Sequence, residues 1–520
     1  MKKDIAIIGG GIGGCMAALS AVKLGKKVVM TEETKWIGGQ LTSQAVPPDE
    51  HPWIEEFGCT ETYRKFRNEV RDYYKKNYPL NENAKNNNRL NPGNGWVSRI
   101  AHEPRVALNI LYDFLQPYLS NGQIELLLEH KITGVEVNND EIKQVYVQNL
   151  LTEEEIEIEA QFFLDATELG DVLPLAGAEY SIGAEAKSET AEYHALDVGD
   201  PQDMQSITHV FALEFAEGEN HTIEKPEQYE FWRNYQAPFL KHKQISEYIP
   251  EADTGESKIL PLFQDESNRL PLWEYRRIID ANQFTDGFFK GDISLINWPQ
   301  NDYWLGSIID VSPEEKATHL KGAKQLSLSL LYWLQTEAPR ADGGKGYPEL
   351  KLRPDITGTD DGFAMHPYIR ESRRIKALQT VVEEDINADL RGGAGIKTLE
   401  NSVGIGAYRI DLHPTTKSNR LFYAKSYPFE IPLGSLIPVR IKNLIPACKN
   451  IGTTQVTNGC FRVHPVEWNI GEAAGTLAAF SINSDISLHE IYNSPDRIKE
   501  YQSLLVDRGI SLHWPEITTI

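Results

Sequence analysis

Four of the chain's 13 histidines stand directly before proline: His51, His366, His413 and His464. A residue before proline is pushed to extended backbone, so each imidazole sits on a stiff, non-helical segment. Such a segment suits a positioned acid–base group and equally suits a plain turn. His366 stands four residues before Arg370 in YIRESRRI, which also holds Glu371, Arg373 and Arg374. Read as a helix, this segment puts Arg370 and Arg374 on one face. A guanidinium there would grip a carboxylate or a ring-borne negative charge in a bidentate fork; the alternative is a solvated helix that pairs Glu371 internally. INWPQNDYWLG sets Trp298, Tyr303 and Trp304 beside Asn297, Gln300, Asn301 and Asp302, which fits a pocket wall or a tryptophan-closed domain interface. Asp411 and His413, in YRIDLHP, occupy alternate strand positions, where satisfaction within a core explains the pair better than catalysis does.

The glycine run Gly9-Gly10-Gly11-Ile12-Gly13-Gly14 has more definite chemistry, since it contains G-x-G-x-x-G at Gly9, Gly11 and Gly14. It follows a short apolar strand, Ile5 to Ile8, and opens a stretch of helical spacing, Ile12 to Lys26, before a second apolar run, Val28 to Met30. Glycines there permit a tight turn and close backbone approach, while the helix N-terminus offers free N–H groups to a pyrophosphate. Glu32, about twenty residues on, can accept hydrogen bonds from ribose hydroxyls, with Glu33 as its neighbouring alternative. The reading is a βαβ dinucleotide-binding start. GGAGIK (392–397) and GIGAYR (404–409) lack the third glycine and the strand–helix context, so a second dinucleotide domain is not expected.

Composition bounds the partners. Of 520 residues, 75 are acidic and 52 basic, giving a net charge of −23, which argues against nucleic acid and anionic membrane surfaces. The four cysteines, at 15, 59, 448 and 460, contain no CxxC pair, so neither a zinc ribbon nor an iron–sulfur cluster is expected, and no metal site. No apolar run approaches the roughly 18 residues of a membrane span, and Asp4 interrupts the apolar start. The expectation is a soluble, cytoplasmic protein.

Further along, 46–98 reads as a polar, aromatic-rich insertion, a loop around the asparagine-heavy NENAKNNNRLNPGNG. Pro104 begins a helix, and IELLLEH, ITGVEV, KQVYVQNL and EIEIEAQFFLDAT read as strands. Residues 176–400 carry no nucleotide fingerprint and read as a separate substrate or cap domain, and GEAAGTLAAF as a small-residue helix. The expected organisation is a discontinuous binding domain of 1–45, 99–175 and 401–480, the insertion 46–98, the cap domain 176–400 and a tail 481–520. The fold class is α/β, a Rossmann-like domain with an inserted α+β substrate domain.

TEETKWIGGQLTS, FLDATELGDVLPLAGAEY, YIRESRRI and NLIPACKNIGTTQVTNGCFRVHPVEWNIGEAAGTLAA together resemble the FAD-dependent oxidoreductases of the glutathione-reductase-like superfamily, specifically the FAD_oxidored family. The resemblance implies FAD as cofactor, Gly9, Gly11 and Gly14 with Ile12 and Gly13 at the pyrophosphate, and Glu32 or Glu33 at the adenosine ribose. It implies Gly39, Gln40 and Thr42 along the phosphates and flavin edge, and Ile132 at adenine. It also implies Ala166, Thr167 and Glu168 in close approach, and Asn469, Ile470 and Gly471 opening a last helix toward the flavin pyrimidine ring. Two segments depart from the family pattern. The usual D-A-T-G-D-G-D reads here Asp165-Ala166-Thr167-Glu168-Leu169-Gly170-Asp171, and the usual A-G-R reads Ala447-Cys448-Lys449.

The expected activity is oxidation of a small organic substrate by hydride transfer to flavin N5, with His366 or His464 as base and Arg370 as electrostatic partner. FAD is expected to be held noncovalently, although His51 follows the GGQLTS segment at a distance compatible with attachment. Electrons would leave to oxygen, a quinone or a protein, or a nicotinamide would visit the flavin without a fold of its own. Rival readings are a flavin-dependent monooxygenase or halogenase, although only WNIGE stands where a halogenase-like W-x-W-x-I-P would be, and a redox-silent flavoprotein acting as scaffold or isomerase.

Overall fold

A computed structural model describes residues 1–251, 256–267, 269–515 and 517. Every position of the run Ile5–Ile8 (β1) is buried, as a strand covered on both faces requires. The glycine turn then feeds the helix Ile12–Lys23 (α1) and the strand Val28–Glu32 (β2), parallel to β1 with Ile5 opposite Val28.

Residues 46–98 differ from the loop reading. Glu61–Asn77 is a helix (α2) whose Thr60 hydroxyl caps the Tyr63 N–H at 3.2 Å. Tyr63, Phe66, Val70 and Tyr74, spaced i, i+3, i+7, i+11, are fully buried. Arg67, within the same face, is buried against Glu50 and Glu55. The asparagine run is tied down as well: Asn94 Nδ2 donates to Asp280 at 2.7 Å, and Gln283 Nε2 donates to the Asn91 carbonyl at 2.6 Å.

The helix Pro104–Ser120 (α3) starts with proline at its first turn, as read from sequence. It leads to Ile124–Leu128 (β3), then an antiparallel meander of His130–Asn138 (β4), Glu141–Asn149 (β5) and Glu155–Glu159 (β6), and back to Phe162–Asp165 (β7).

The second lobe has its own buried core. It is built on an antiparallel sheet of Phe211–Phe215 (β8), Arg277–Ile279 (β9), Ile293–Ile296 (β10) and, beyond the long helix Pro313–Thr336 (α4), Leu350–Leu352 (β11), in the order β9-β10-β8-β11. Ser312 and Glu315 form a reciprocal capping box at the start of α4. The chain then returns through Leu444–Pro446 (β12) to the helix His464–Ser484 (α5). Strand β12 closes a five-stranded, all-parallel sheet of order β12-β7-β1-β2-β3.

Two further expectations are corrected. YIRESRRI is extended, not helical: only Arg374–Ile375 is regular, as a strand against Tyr180–Ser181. Its charges are buried rather than solvated, because each has a tertiary partner. Asn469, Ile470 and Gly471 do not open a helix: theirs begins five residues earlier, at His464, and two more follow it, Leu488–Asn493 and Pro495–Val506. Gly471 instead marks where α5 crosses α1. A Cβ there would fall 2.2 Å from the Gly13 carbonyl oxygen, and one at Gly13 would fall 1.8 Å from that of Ala447. The two helices approach backbone to backbone.

Candidate active site

The parallel sheet reverses strand order at β1, whose neighbours β2 and β7 lie on opposite sides. A crevice opens at the carboxyl ends of such strands. A cavity lies there, lined by Gly9 and Gly11 after β1, by Glu32, Glu33 and Thr34 at the end of β2, and by Ala166, Thr167 and Glu168 after β7. Gly39, Ile132 and His366 also reach it, as do Ser43, Gln44 and Lys316. Gly9 has φ +102°, and a Cβ on it would lie 2.2 Å from the Ala166 carbonyl oxygen, so only glycine fits. Gly11 caps α1 with no side-chain bond to the helix and no acid in the first turn. The N–H groups and positive dipole end of α1 are therefore left for an anion.

Glu32 Oε2 accepts from the Gly10 N–H at 3.1 Å, and Oε1 accepts from the Thr34 N–H at 2.9 Å and hydroxyl at 2.7 Å. Burial pushes its carboxyl up to about 7, opposed by the Thr34 bonds. Glu33 is turned toward Lys131 at the surface, 3.9 Å away. Gln40 Nε2 donates to the Arg462 carbonyl at 3.0 Å, while its buried Oε1 has no partner. Thr42 is committed to the Ile37 carbonyl at 2.6 Å. Asn469 Oδ1 accepts from the Ile405 N–H at 3.0 Å, while its buried Nδ2 has no partner. Gly14 and Ile470 are buried in the helix packing, apart from the cavity wall. These features, a glycine cradle under a helix N-terminus, an acid at the end of β2 and unpartnered amide atoms nearby, fit a flavin dinucleotide.

Glu168 stands where the resemblance has glycine. Its carboxylate faces both Gly11 and Gly39, and Lys449 Nζ donates to it at 2.5 Å. Burial would raise the Glu168 carboxyl, and the Lys449 charge overrides this, holding it below its usual range. Glu467 lies 3.6 Å from the same ammonium, and burial pushes it up to about 7.

A second cavity of about 260 Å³ lies in the other lobe, walled by Tyr248, Tyr275, Trp304 and Tyr408 with Asp302, Asp411 and His413. His413 bridges its two acids, with Nδ1 2.6 Å from Asp302 and Nε2 3.5 Å from Asp411. Arg370 donates to Asp302 at 2.9 Å, and also to the Ser206 carbonyl and the Thr208 hydroxyl. Arg462 Nη2 lies 3.5 Å from Asp411 and Nη1 donates to the Tyr368 hydroxyl at 2.8 Å. Burial would raise both carboxyls. Arg370 and His413 outweigh it at Asp302, and His413 and Arg462 outweigh it at Asp411, so both sit below the ordinary carboxylate range.

The histidines fall into different places. His366 lines the first cavity, with its N–H donating to the Ser43 carbonyl at 3.1 Å. His464 is fully buried: Nδ1 accepts from the Asp49 N–H and Nε2 donates to the Val46 carbonyl, both at 3.1 Å, and it lines neither cavity. Burial lowers it to about 4. His51 is held between Trp53 and Trp514, with Nε2 on the Gly58 carbonyl at 2.9 Å. The pairing of Asp302 with His413 escaped the sequence reading because 111 residues separate them. The Lys449–Glu168 pair had a signal, since both are departures from one motif pattern.

A family model described as FAD dependent oxidoreductase matches residues 4–505. Among solved structures, the chain is similar to a geranylgeranyl bacteriochlorophyll reductase-like protein from Thermoplasma acidophilum, at 10% identity over 98% of this chain and 84% of that one, TM-score 0.37. It is similar to p-nitrophenol 4-monooxygenase PnpA from Pseudomonas putida at 11% identity, over 98% and 88%, TM-score 0.36. With L-proline dehydrogenase from P. horikoshii it shares 18% identity over 36% of this chain, spanning 25% of that one, TM-score 0.18. No curated protein matches the sequence.

Proposed function

The chain belongs to the family of FAD dependent oxidoreductases, and on that premise we propose that it oxidises a small organic substrate bound in the second-lobe cavity. Bound FAD supplies the two-electron acceptor for a substrate C–H or N–H bond. Gly9, Gly11 and the N-terminus of α1 would hold its pyrophosphate, Glu32 its ribose, and Gln40 and Gln44 the ring end. Attachment is noncovalent in this reading, since His51 is engaged with Gly58 outside the cavity wall.

One observation carries the choice of substrate side: a chain of polar contacts leads from Gln40, next to Gly39 of the first cavity wall, to the wall of the second. It passes from Gln40 through Arg462 to Asp411, His413, Asp302 and Arg370. Within it the Asp302 carboxylate accepts from His413 Nδ1–H and so fixes the ring's tautomer, which leaves Nε2, 3.5 Å from Asp411, as the proton acceptor at the cavity wall. Arg370, enclosed by Asp302, Asn297, Ser206 and Thr208, positions Asp302 instead of gripping substrate. His366, in the first cavity, is the alternative base.

The test is anaerobic mixing of the flavin-loaded protein with candidate substrates. Loss of the flavin's visible absorbance on substrate addition supports oxidation. Binding with no bleaching identifies a scaffold or isomerase, and bleaching by a nicotinamide alone identifies a monooxygenase.

A further inference from the structure

Three residues that wall the second cavity carry buried polar atoms with nothing to bond. Gln244 Oε1, Gln300 Oε1 and Trp304 Nε1 have no partner among the described residues, and the three side chains are at most 3% exposed. The bonds each amide does make fix which end is which. Gln244 Nε2 donates to the Asp302 carbonyl at 2.6 Å, and Gln300 Nε2 to that of Ser246 at 3.4 Å. Each therefore keeps its oxygen as the unpaired acceptor. Leaving a buried polar atom unsatisfied is costly, so three on the wall of one small cavity point to a ligand that supplies the missing partners.

Their mixture decides the ligand's class. Two neutral acceptors and one neutral donor share the wall with Asp411 and His413, and the nearby acids already have Arg370 and Arg462 as counter-charges. An ammonium group would satisfy both amide oxygens but oppose the Trp304 N–H, donor against donor. A carboxylate would satisfy Trp304 and be repelled by both amide oxygens and by Asp411. A hydroxyl donates and accepts, so several hydroxyls on one small skeleton satisfy the whole set. The faces of Trp304, Tyr248 and Tyr275 then cover the skeleton's C–H surfaces. We propose that this cavity binds a neutral polyhydroxylated compound of monosaccharide size. The proposal rests on the reading above that the cavity is the substrate side of the oxidation, and it names that substrate's class.

The experiment is calorimetric titration of the FAD-loaded protein with D-glucose, D-mannitol and myo-inositol, against benzylamine and benzoate, followed in parallel by tryptophan fluorescence. The expected result is binding of at least one of the three polyols. Trp304→Phe, which keeps an aromatic face but removes the indole N–H with its five-membered ring, should weaken it roughly three- to tenfold. Gln300→Met should do the same if the tryptophan variant misfolds. Preference for benzylamine or benzoate, binding indifferent to both variants, or no binding by any probe overturns the proposal, the last meaning a cavity filled by water only. The two readings fail separately. Polyol binding without anaerobic bleaching removes the oxidation and keeps the polyol site, whereas bleaching by benzylamine with no polyol bound does the reverse.

Discussion

Lys449 Nζ lies 2.5 Å from Glu168 Oε2, and each belongs to one of the two segments at which the chain departs from the family pattern it resembles. They are one feature. Glutamate in place of glycine puts an anion beside Gly11 and Gly39, where a pyrophosphate would repel it. The fully buried Lys449 ammonium, shared with Glu467, neutralises it.

Lys449→Met should therefore leave two acids facing each other without a counter-ion and cost about 3–5 kcal/mol of stability. Glu168→Gln should cost less, because Glu467 still partners the lysine. The double change Glu168→Gln with Lys449→Met, which removes both charges, should lose less than the sum of the two single changes. Denaturant melts of the four proteins measure the coupling; strict additivity would separate the two residues.

The glycines of the fingerprint should divide by what surrounds them. A Cβ at Gly11 meets only the end of the Glu168 side chain, at 3.1 Å, so Gly11→Val should fold and lose FAD. At Gly13 the Cβ would strike the Ala447 carbonyl at 1.8 Å, so even Gly13→Ala should lower the melting temperature of the flavin-free protein. Thermal shift with and without added FAD tells them apart, and a Gly11→Val protein with full flavin would remove the cradle assignment.

How much of this was legible follows from where each signal is written. The βαβ start was readable because turn, helix and acid lie within 32 residues and each has a local requirement. Helix α2 was not, because Tyr63, Tyr74 and Arg67 form much of its buried face, and a period built on tyrosine and arginine reads as polar. YIRESRRI has good intrinsic helix formers, yet Arg370, Arg373 and Arg374 each answer a distant acid: Asp302, Asp310 with Asp171, and Glu185. Tertiary ion pairs overrode propensity there.

Stability should fall as pH rises through neutrality, and Glu472 gives one assignable share. Burial pushes its carboxyl up to about 7 against an ordinary 4.5, although the Thr62 hydroxyl donates to it. A raised carboxyl keeps its proton longer in the folded state, so its contribution is full below about 4.5 and lost progressively up to about 7. The share is roughly 3 kcal/mol. Glu472→Gln should raise the melting temperature at pH 8 and leave it nearly unchanged at pH 4; an equal shift at both would refute the linkage.

The last test separates the two histidines that follow from opposite arguments. His464 precedes proline at the start of α5, but both ring nitrogens are spent on the backbone of the 46–49 segment, through the Asp49 N–H and the Val46 carbonyl. His413 precedes proline too, yet its ring is held by the Asp302 and Asp411 side chains on the wall of the second cavity. Replacing His464 by Gln should therefore lower thermal stability and FAD occupancy together, with the rate of flavin reduction per bound FAD unchanged. Replacing His413 by Gln should leave FAD bound and slow that rate by about 10² to 10⁴, the usual contribution of a positioned base. Asp302→Asn should slow it as well, since an amide in place of the carboxylate no longer fixes the Nδ1 proton. Stopped-flow reduction normalised to bound flavin reads all three variants. A normal rate in the His413 variant would return the role to His366, beside Glu168 in the first cavity.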